Sequence, residues 1–562
     1  MKDHAGEEQE PAPDSADPLL TRRGLLTGAG LGSAAFAAGG FLSAFETDGI
    51  AEAAKPAPKA KPAAPQDRRL AQAFDIRMKA ARHERDFGTA AHLTNGEEES
   101  LPGRVACYSK GLPHDRNGNV DAKAYDIYLG ALRSRRPEDF ERIPLGGFVK
   151  LANPQSAWAF ELIGPDSSQV PCPPAPGFAS AEQAGEIVEL YWQALLRDVP
   201  FTEYPSHPMV EKAAAELSAN PGFTGPRQGG RVTPDTLFRG STEGDLVGPY
   251  ISQFLWKLVP FLPIKIEQKI RTAVPGVDYM TDFDGWLAIQ NGSLSGVNRF
   301  DPAARYIRNG RDLGEYVHRD FTYQSFLSAC LIALKAGTQP DGGNPYKHSR
   351  TQGSFTTFGQ PFLFYLLAVV TQVALKACWY EKWAVHRRLR PEEYGGRVEA
   401  NASGRAKYPL PDGLLDSAAV ATVRERFKTA LLPQAYPEAC PTHPSYPAGH
   451  AVISGACATV LKACLDESHV IPEPVQSSPD GLSLQPWKGA ALTVGGELDK
   501  LASNICLGRD FAGLHWRTDA RAGLLLGETV AIRALEEMSL TGNELFSGWS
   551  LKRFDGRRIT VG

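Results

Sequence analysis

Apolar residues recur at helical spacing through most of the chain after residue 67, whereas the alternation typical of strands is rare. In the first part, helical patterns cover residues 68–85, 121–133, 180–196 and 209–217. In the second part, they cover residues 321–335, 361–386, 416–432, 449–465, 494–507 and 517–538. This pattern predicts a mainly α, large helical protein with a bundle of the four-helix type in its second half.

The segment at residues 361–386 is the longest apolar helix in the sequence. Its most apolar part, residues 362–377, is shorter than the roughly 20 residues that a membrane span needs, so we predict a core helix. Pro391 is predicted to end this helix. At residues 248–255, Pro249 is predicted to lie in the first turn of another helix.

The N-terminal residues have the order of a targeting signal. Arg22 and Arg23 precede a Gly- and Ala-rich run at residues 27–45 and small residues at 51–54, which is the plan of a signal peptide and resembles a twin-arginine signal. We therefore predict an exported protein, secreted or associated with the cell envelope, whose mature chain has no membrane span.

The rest of the chain divides by composition. The predicted regions are a signal at residues 1–54, a Pro/Ala linker at 55–66, a mainly helical region at 67–310, a helical bundle at 311–540 and a tail at 541–562. The net charge of −4 and the pI near 6.3 give no reason to expect nucleic acid or an anionic membrane as a partner. Any strongly basic site must therefore be local.

The eight cysteines show no metal-ligand spacing. Five of them fall in apolar helical patterns, where buried thiols are expected. Cys107, Cys172 and Cys440 fall in predicted loops and could form disulfides in an exported protein.

Two segments near the C-terminus pair a histidine with groups that hold an anion. The first, residues 443–450, contains His443 and runs into a helix, so the backbone N–H groups of Gly449 and His450 lie at a helix N-terminus. In the second, Asp519 follows His515 by about one helical turn and could fix the tautomer of its ring.

Three cations complete the pattern: Lys382, Arg390 and Arg509 keep their charge at neutral pH and could surround a tetrahedral oxyanion. His515 is the candidate ligand or nucleophile, and His450 is the candidate acid/base. Taken singly, each cation could be a helix-end charge, and His515 with Asp519 an exposed helical pair. Their occurrence together at element boundaries predicts an oxyanion cage.

Residues near these motifs receive simpler interpretations. His386, Arg387 and Arg388 are predicted to be solvated charges at a helix end, and Ser445 to cap a turn. His443 could contact a second small anion or the substrate.

These motifs resemble those of the vanadium-dependent haloperoxidases, which share their anion cage with the acid phosphatases of the PAP type. The bromoperoxidase branch and its bacterial relatives are also similar at residues 237–240, 248–254, 381–391, 443–451 and 497–504. The resemblance implies that vanadate is the cofactor, that His515 binds the metal, and that Asp519 orients His515. It also implies that Lys382, Arg390, Arg509 and the Gly449 N–H bind the oxyanion.

The implied reaction uses hydrogen peroxide to oxidise chloride or bromide and to halogenate an electron-rich organic substrate. His450 would move the proton and Lys382 would polarise the peroxide. A prenylated aromatic polyketide (a meroterpenoid) is one substrate class, which would place the enzyme in secondary metabolism. A homodimer is expected.

One residue departs from the family pattern. The family usually has Ser-Gly-His where this chain has Ala-Gly-His at residues 448–450, so Ala448 replaces the serine. The missing hydroxyl costs about 1 kcal/mol of hydrogen bonding, enough to alter the handling of peroxide or halide. Three alternatives therefore stay open. They are a vanadate-independent, non-redox rearrangement of a hydroxyketone, an acid phosphatase in which His515 attacks phosphate, and a protein that only sequesters the oxyanion.

Overall fold

The structure, a computed structural model, describes residues 66–562, which form one compact unit. The predicted signal and the linker, apart from Gln66, lie outside the described residues. The longer helices are α1 (Gln66–Phe87), α3 (Ala122–Ser134), α5 (Ala181–Leu196), α6 (Pro208–Ala219), α7 (Phe283–Gln290), α8 (Gly310–Arg319), α9 (Gln324–Lys335), α10 (Gln360–Tyr380), α11 (Pro391–Ala402), α12 (Ala418–Phe427), α13 (Gly449–Cys464), α14 (Val494–Phe511) and α15 (Arg517–Ser539). Single-turn helices α2 (Glu97–Ser100) and α4 (Pro137–Phe140) lie between them.

Strands are short and pair as two-stranded antiparallel ribbons. The ribbons are β1 (Val259–Phe261) with β2 (Ile264–Ile266), β3 (Ile270–Ala273) with β4 (Phe300–Arg305), β5 (Val475–Ser477) with β6 (Leu484–Pro486), and β7 (Trp549–Lys552) with β8 (Arg558–Val561). The last ribbon occupies the predicted C-terminal tail. The mainly α class is confirmed.

Four helices form the centre of the bundle. Helix α13 is buried along nearly its whole length and packs against α10, α14 and α15, while α8 packs on α14. Side-chain caps fix several helix starts: Ser180 accepts a hydrogen bond at the start of α5, and Thr493 does so at the start of α14. The bundle therefore places the first turn of α13 beside the end of α14 and the start of α15.

Helix α10 continues into a π-helix at Glu381–His386. The combined helix, Gln360–His386, is the one helix among the described residues that is long and apolar enough to cross a membrane. About half of its most apolar window is buried inside the protein, against α13 and α15. This burial agrees with the predicted core helix.

Two predictions about proline are wrong. Pro249 opens no α-helix, because the segment contains only a short 3-10 turn at Gln253–Leu255 before β1. Pro391 does not end the long helix, which stops at His386; it occupies the first turn of α11, where its missing N–H costs nothing.

All eight cysteines are free thiols, and Cys107, Cys172 and Cys440 are buried.

Glycines allow α13 and α15 to approach closely. A β-carbon on Gly527 would lie 1.9 Å from the backbone oxygen of Val452, and one on Gly455 would lie 2.2 Å from that of Leu524. A backbone carbonyl inside a helix cannot move away cheaply, so these positions require glycine.

We expect Gly527→Ala to lower the free energy of unfolding by about 3 kcal/mol, since overpacking a tight contact typically costs 1–3 kcal/mol and this one meets backbone. Urea unfolding followed by circular dichroism measures it. Gly130→Ala in α3 is the matched control, because no atom lies near its β-carbon position. Equal losses in the two variants would contradict the packing argument.

Candidate oxyanion site

Each side chain of the predicted cage stands at a boundary between elements. Lys382 lies in the π-helix, a local widening that often marks functional positions. Arg390 lies at the start of α11 and Gly449 at the start of α13. Arg509 lies in the last turn of α14, His515 in the loop that follows, and Asp519 in the first turn of α15.

The three cations are buried and bind mainly to backbone oxygens. Lys382 Nζ donates to the carbonyls of Pro444 and Ser445, both at 2.7 Å. Arg390 donates to the carbonyls of His443 and Leu514 at 2.9 Å. These bonds fix the positions of the charged groups but leave their charge unbalanced.

Within residues 66–562, neither Lys382, Arg390 nor Arg509 forms an ion pair with a carboxylate. Arg509 donates one bond, to the Val317 carbonyl, and its buried Nε has no acceptor. Burial and the neighbouring Arg390 and Arg509 lower the pKa of Lys382 to about 7, so the prediction that this ammonium keeps its full charge at neutral pH is wrong. Because buried charges normally have partners, this concentration of positive charge fits a multiply charged anion such as vanadate.

His515 supplies a neutral nitrogen to the same space. Its Nδ1 lies 2.8 Å from Asp519 Oδ2, and its Nε2 lies 2.9 Å from Arg390 Nη1. Burial, followed by the charges of Arg390 and Lys382, holds the pKa of His515 well below its usual value. A neutral ring that donates Nδ1–H to Asp519 keeps an electron pair on Nε2, as a metal ligand requires.

The carboxylate of Asp519 is held from several sides. Besides His515, it accepts bonds from the Ser445 hydroxyl, the Trp516 N–H at 3.2 Å and Arg388 Nη1 at 2.9 Å. Ser445 therefore fixes Asp519 rather than capping a turn.

The expectation that His386, Arg387 and Arg388 are solvated is wrong. Arg388 is buried and links Asp519 to Glu186 of α5, while Arg387 pairs with Glu98 and His386 with Glu381. Glu98, Glu186 and Asp519 lie 131 to 289 residues away from their arginines, so the run of positive charges alone could not indicate them.

His450 begins α13 and lies close enough to influence the ionisation of His515. Its Nε2 lies 3.0 Å from Asp320 Oδ1, at the end of α8. Asp320 was not identified from the sequence, since it is 130 residues away from His450 and carries no motif. This contact with Asp320 fixes the orientation of the ring, as acid/base work requires.

The remaining predicted residues lie around this cage. His443 Nδ1 lies 2.9 Å from Arg390 Nη2, and its ring packs on Trp379 at a centroid distance of 4.9 Å. Gly449 and His450 have no intrahelical acceptor for their N–H groups, because they are in the first turn of α13. Ala448 is buried before them, and its methyl group packs with Ala451 and Cys506.

Comparison with known proteins agrees with this geometry. The family model described as the VCPO second helical-bundle domain matches residues 362–543. The vanadium-dependent bromoperoxidase of Ascophyllum nodosum is 36% identical over 531 residues, which cover 88% of this chain and 94% of the relative. This chain belongs to the vanadium-dependent haloperoxidase family.

Two further comparisons support the membership in this family of peroxidase-class enzymes. The vanadium-dependent bromoperoxidase of Corallina pilulifera is 34% identical, over 88% of this chain and 98% of the relative. The solved structure of the second vanadate-dependent bromoperoxidase of A. nodosum, a homohexamer, has a TM-score of 0.85 at 30% identity and covers 92% of this chain and 94% of that chain. Membership in the vanadium-dependent haloperoxidases makes vanadate the cofactor.

The pKa of Lys382 predicts how anion binding varies with pH. The ammonium is charged below about pH 7 and loses its proton above it, so we expect the affinity for an oxyanion to be level below pH 7 and to fall by up to tenfold per pH unit above it. Tungstate, whose charge is constant from pH 7 to 9, is the probe, and calorimetry is the measurement. Lys382→Arg should flatten the profile, and an unchanged slope in that variant would assign the effect to another group.

Proposed function

We propose that the protein uses hydrogen peroxide to oxidise chloride or bromide and halogenates an electron-rich organic substrate, such as a prenylated aromatic polyketide. The observation that carries this proposal is the set of buried, unpaired cations around the neutral Nε2 of His515. Vanadate, when bound, supplies a Lewis-acid centre that activates peroxide without a change in the valence of the metal.

The residues receive roles from their geometry. His515 Nε2 would be the metal ligand, with Asp519 holding its tautomer. Lys382, Arg390, Arg509 and the Gly449 N–H would neutralise and orient the oxyanion, and the Lys382 ammonium would also polarise bound peroxide. His443, beside Arg390 and Trp379, would lie near the halide or the organic substrate.

Proton transfer is the part of the chemistry that the protein itself must supply. Oxidation of bromide by peroxide consumes one proton: H2O2, Br− and H+ give HOBr and H2O. Halogenation of an aromatic C–H by HOBr then gives the C–Br product and water. His450 can deliver the proton from its ring, and the contact between its Nε2 and Asp320 Oδ1 holds the ring in position for the transfer.

The test is bromination and chlorination of monochlorodimedone by purified protein with hydrogen peroxide, with and without added orthovanadate. We expect halogenation that depends on vanadate. If no halide is oxidised at any vanadate concentration, the proposal is wrong.

Ala448 favours a second candidate, a vanadate-independent rearrangement of a hydroxyketone. Ala448 is the N-cap of α13 and makes no side-chain cap, so this first turn lacks the hydroxyl of the Ser-Gly-His pattern that the family resemblance implies. Conversion of a hydroxyketone in buffer free of peroxide and vanadate, without halogenation, would establish this reaction in place of the first.

We expect Ala448→Ser to strengthen vanadate binding at least about tenfold, since a hydrogen bond to a charged group contributes about 1.5–3 kcal/mol. Vanadium content after equilibrium dialysis measures the affinity. Ala451→Ser, one turn into α13 and in the same apolar cluster, is the control. If both variants bind vanadate like the parent protein, position 448 does not contact the oxyanion.

Export through the twin-arginine-type signal and a homodimeric assembly remain further proposals. The signal is supported by Arg22 and Arg23 ahead of the Gly- and Ala-rich run. Replacing both arginines with lysine should retain the protein in the cytoplasm, and light scattering on the purified protein gives its molar mass.

A further inference from the structure

A groove runs away from the acid/base pair along α8 and α9. Its first part, with a volume of about 310 Å³, is lined by Asp320 together with Arg271 and Phe300. Its second part, of about 330 Å³, is lined by Phe261, Leu327 and other apolar residues. Both parts share Ile270, Tyr316 and Gln324. The combined space is within the range of small-molecule sites, and it starts at the carboxylate that binds His450.

The part of the groove nearest His450 is lined by two arginines, Arg271 and Arg319, and by the carboxylates of Glu315 and Asp320. The guanidinium groups of Arg271 and Arg319 lie 3.9 and 5.2 Å from the centre of the Phe300 ring. Arg319 is paired with Glu315 at 2.9 Å. Arg271 has no carboxylate partner within residues 66–562, so it can bind an anionic group in the groove.

The far part of the groove is apolar and opens to solvent. Phe261 and Ile266 of the β1–β2 ribbon are 46% and 45% exposed, and Phe321 is 53% exposed. Such a cluster of exposed apolar side chains next to a concave surface is typical of a ligand-binding site. The chemistry thus changes along the groove from a proton-transfer pair, through a free cation, to hydrocarbon-binding side chains.

We infer that this groove binds the organic substrate, and that the substrate is an amphiphilic phenolic acid. Its carboxylate pairs with Arg271, its aliphatic tail lies along Phe261 and Leu327, and its activated ring lies beside Asp320 and His450. The ring then receives the halogen of the hypohalous acid: a C–H bond is replaced by a C–halogen bond, and the released proton and hydroxide leave as water. The inference rests on the proposed haloperoxidase function and specifies its substrate class.

The test compares 6-hexylsalicylate with salicylate, which has the same head without the tail. Calorimetry with the purified protein measures binding without turnover. We expect the hexyl compound to bind at least tenfold more tightly, as burial of about six methylene or methyl groups would produce even at partial efficiency. 3-Hexylphenol, which keeps the tail in the same position relative to the hydroxyl and lacks only the carboxylate, should bind at least fivefold more weakly than 6-hexylsalicylate.

Matched variants locate the site. Phe261→Asp should remove the advantage of the tail, and Arg271→Glu should remove the advantage of the carboxylate. Phe148→Asp and Arg116→Glu make the same changes at exposed positions outside the groove and should have no effect. Equal binding of 6-hexylsalicylate and salicylate, or equal effects of Phe261→Asp and Phe148→Asp, would overturn the inference.

Two further outcomes are informative. If Phe261→Asp changes the molar mass in light scattering and leaves 6-hexylsalicylate binding unchanged, the apolar part is covered by a second copy of the chain and the inference is wrong. If the wild-type protein does not brominate monochlorodimedone but binds 6-hexylsalicylate with the expected dependence on both variants, the groove is supported while the proposed haloperoxidase function fails.

Discussion

His515→Ala is expected to abolish vanadate-dependent halogenation and to weaken vanadate binding by more than about 100-fold. Removal of a residue that only supports a metal ligand typically costs 10–100-fold in affinity, and removal of the ligand itself should cost more. The lone pair on His515 Nε2 faces Arg390, and the bond from Nδ1 to Asp519 fixes the orientation of the ring. Vanadium content after dialysis and the monochlorodimedone assay measure the two effects.

His443→Ala is the matched control for this prediction. His443 also contacts Arg390, and burial and Arg390 likewise lower the pKa of its ring. Among residues 66–562, no carboxylate contacts its ring to hold a metal-binding tautomer, and its Nδ1 rather than Nε2 lies nearest the guanidinium. We expect this variant to retain vanadium while changing the halide or substrate dependence. Full vanadium binding by His515→Ala, or a greater loss in His443→Ala, would reverse the assignment of the ligand.

The helices were predictable because burial in a bundle gives the sequence a helical period. The segments at 361–386, 449–465 and 517–538 match α10 with its π-helix, α13 and α15 to within one or two residues. Helix α8 was missed because polar residues such as Arg311, Asp312 and Glu315 are buried in it. Ion pairs with Asp198, Arg308 and Arg319 hold these three side chains in the core, so a pattern based on hydrophobicity does not show them.

Part of the candidate site could also be predicted, because its members lie within short motifs. Lys382 and Arg390 share one segment, and Arg509, His515 and Asp519 share another; the structure brings these segments together around His515. The residues that hold them were not predictable. Asp320, Gln183 and Glu186 act through contacts across 130 to 205 residues of chain, and no local spacing indicates such contacts.

Arg388 is one of the residues that support the cage through such long-range contacts. We expect Arg388→Leu to lower the free energy of unfolding by about 3–5 kcal/mol. Its guanidinium donates to Asp519 at 2.9 Å, and to Gln183 and Glu186 at 2.8 Å, in a buried position. Removing it leaves two buried carboxylates without their cation, which is the costly way to break a buried ion pair. Urea unfolding of the vanadate-free protein measures the loss.

Arg558→Leu breaks an ion pair of similar length, 3.0 Å to Glu467, but the Arg558 side chain is 61% exposed. Solvent screening limits that loss to about 1 kcal/mol or less.

Arg388→Lys keeps a charge in place and tests the second role of Arg388. Lysine cannot bridge Asp519 and Glu186 with a planar group, so His515 should lose its fixed orientation and vanadate affinity should fall about 10–100-fold in a folded protein. Equal destabilisation by Arg388→Leu and Arg558→Leu, together with parental vanadate affinity in Arg388→Lys, would show that the cage does not depend on this support. Greater destabilisation by Arg388→Leu, together with weaker vanadate binding by Arg388→Lys, would show that the contact between α5 and α15 fixes the orientation of His515. Arg388 makes this contact by joining Glu186 on one helix to Asp519 on the other.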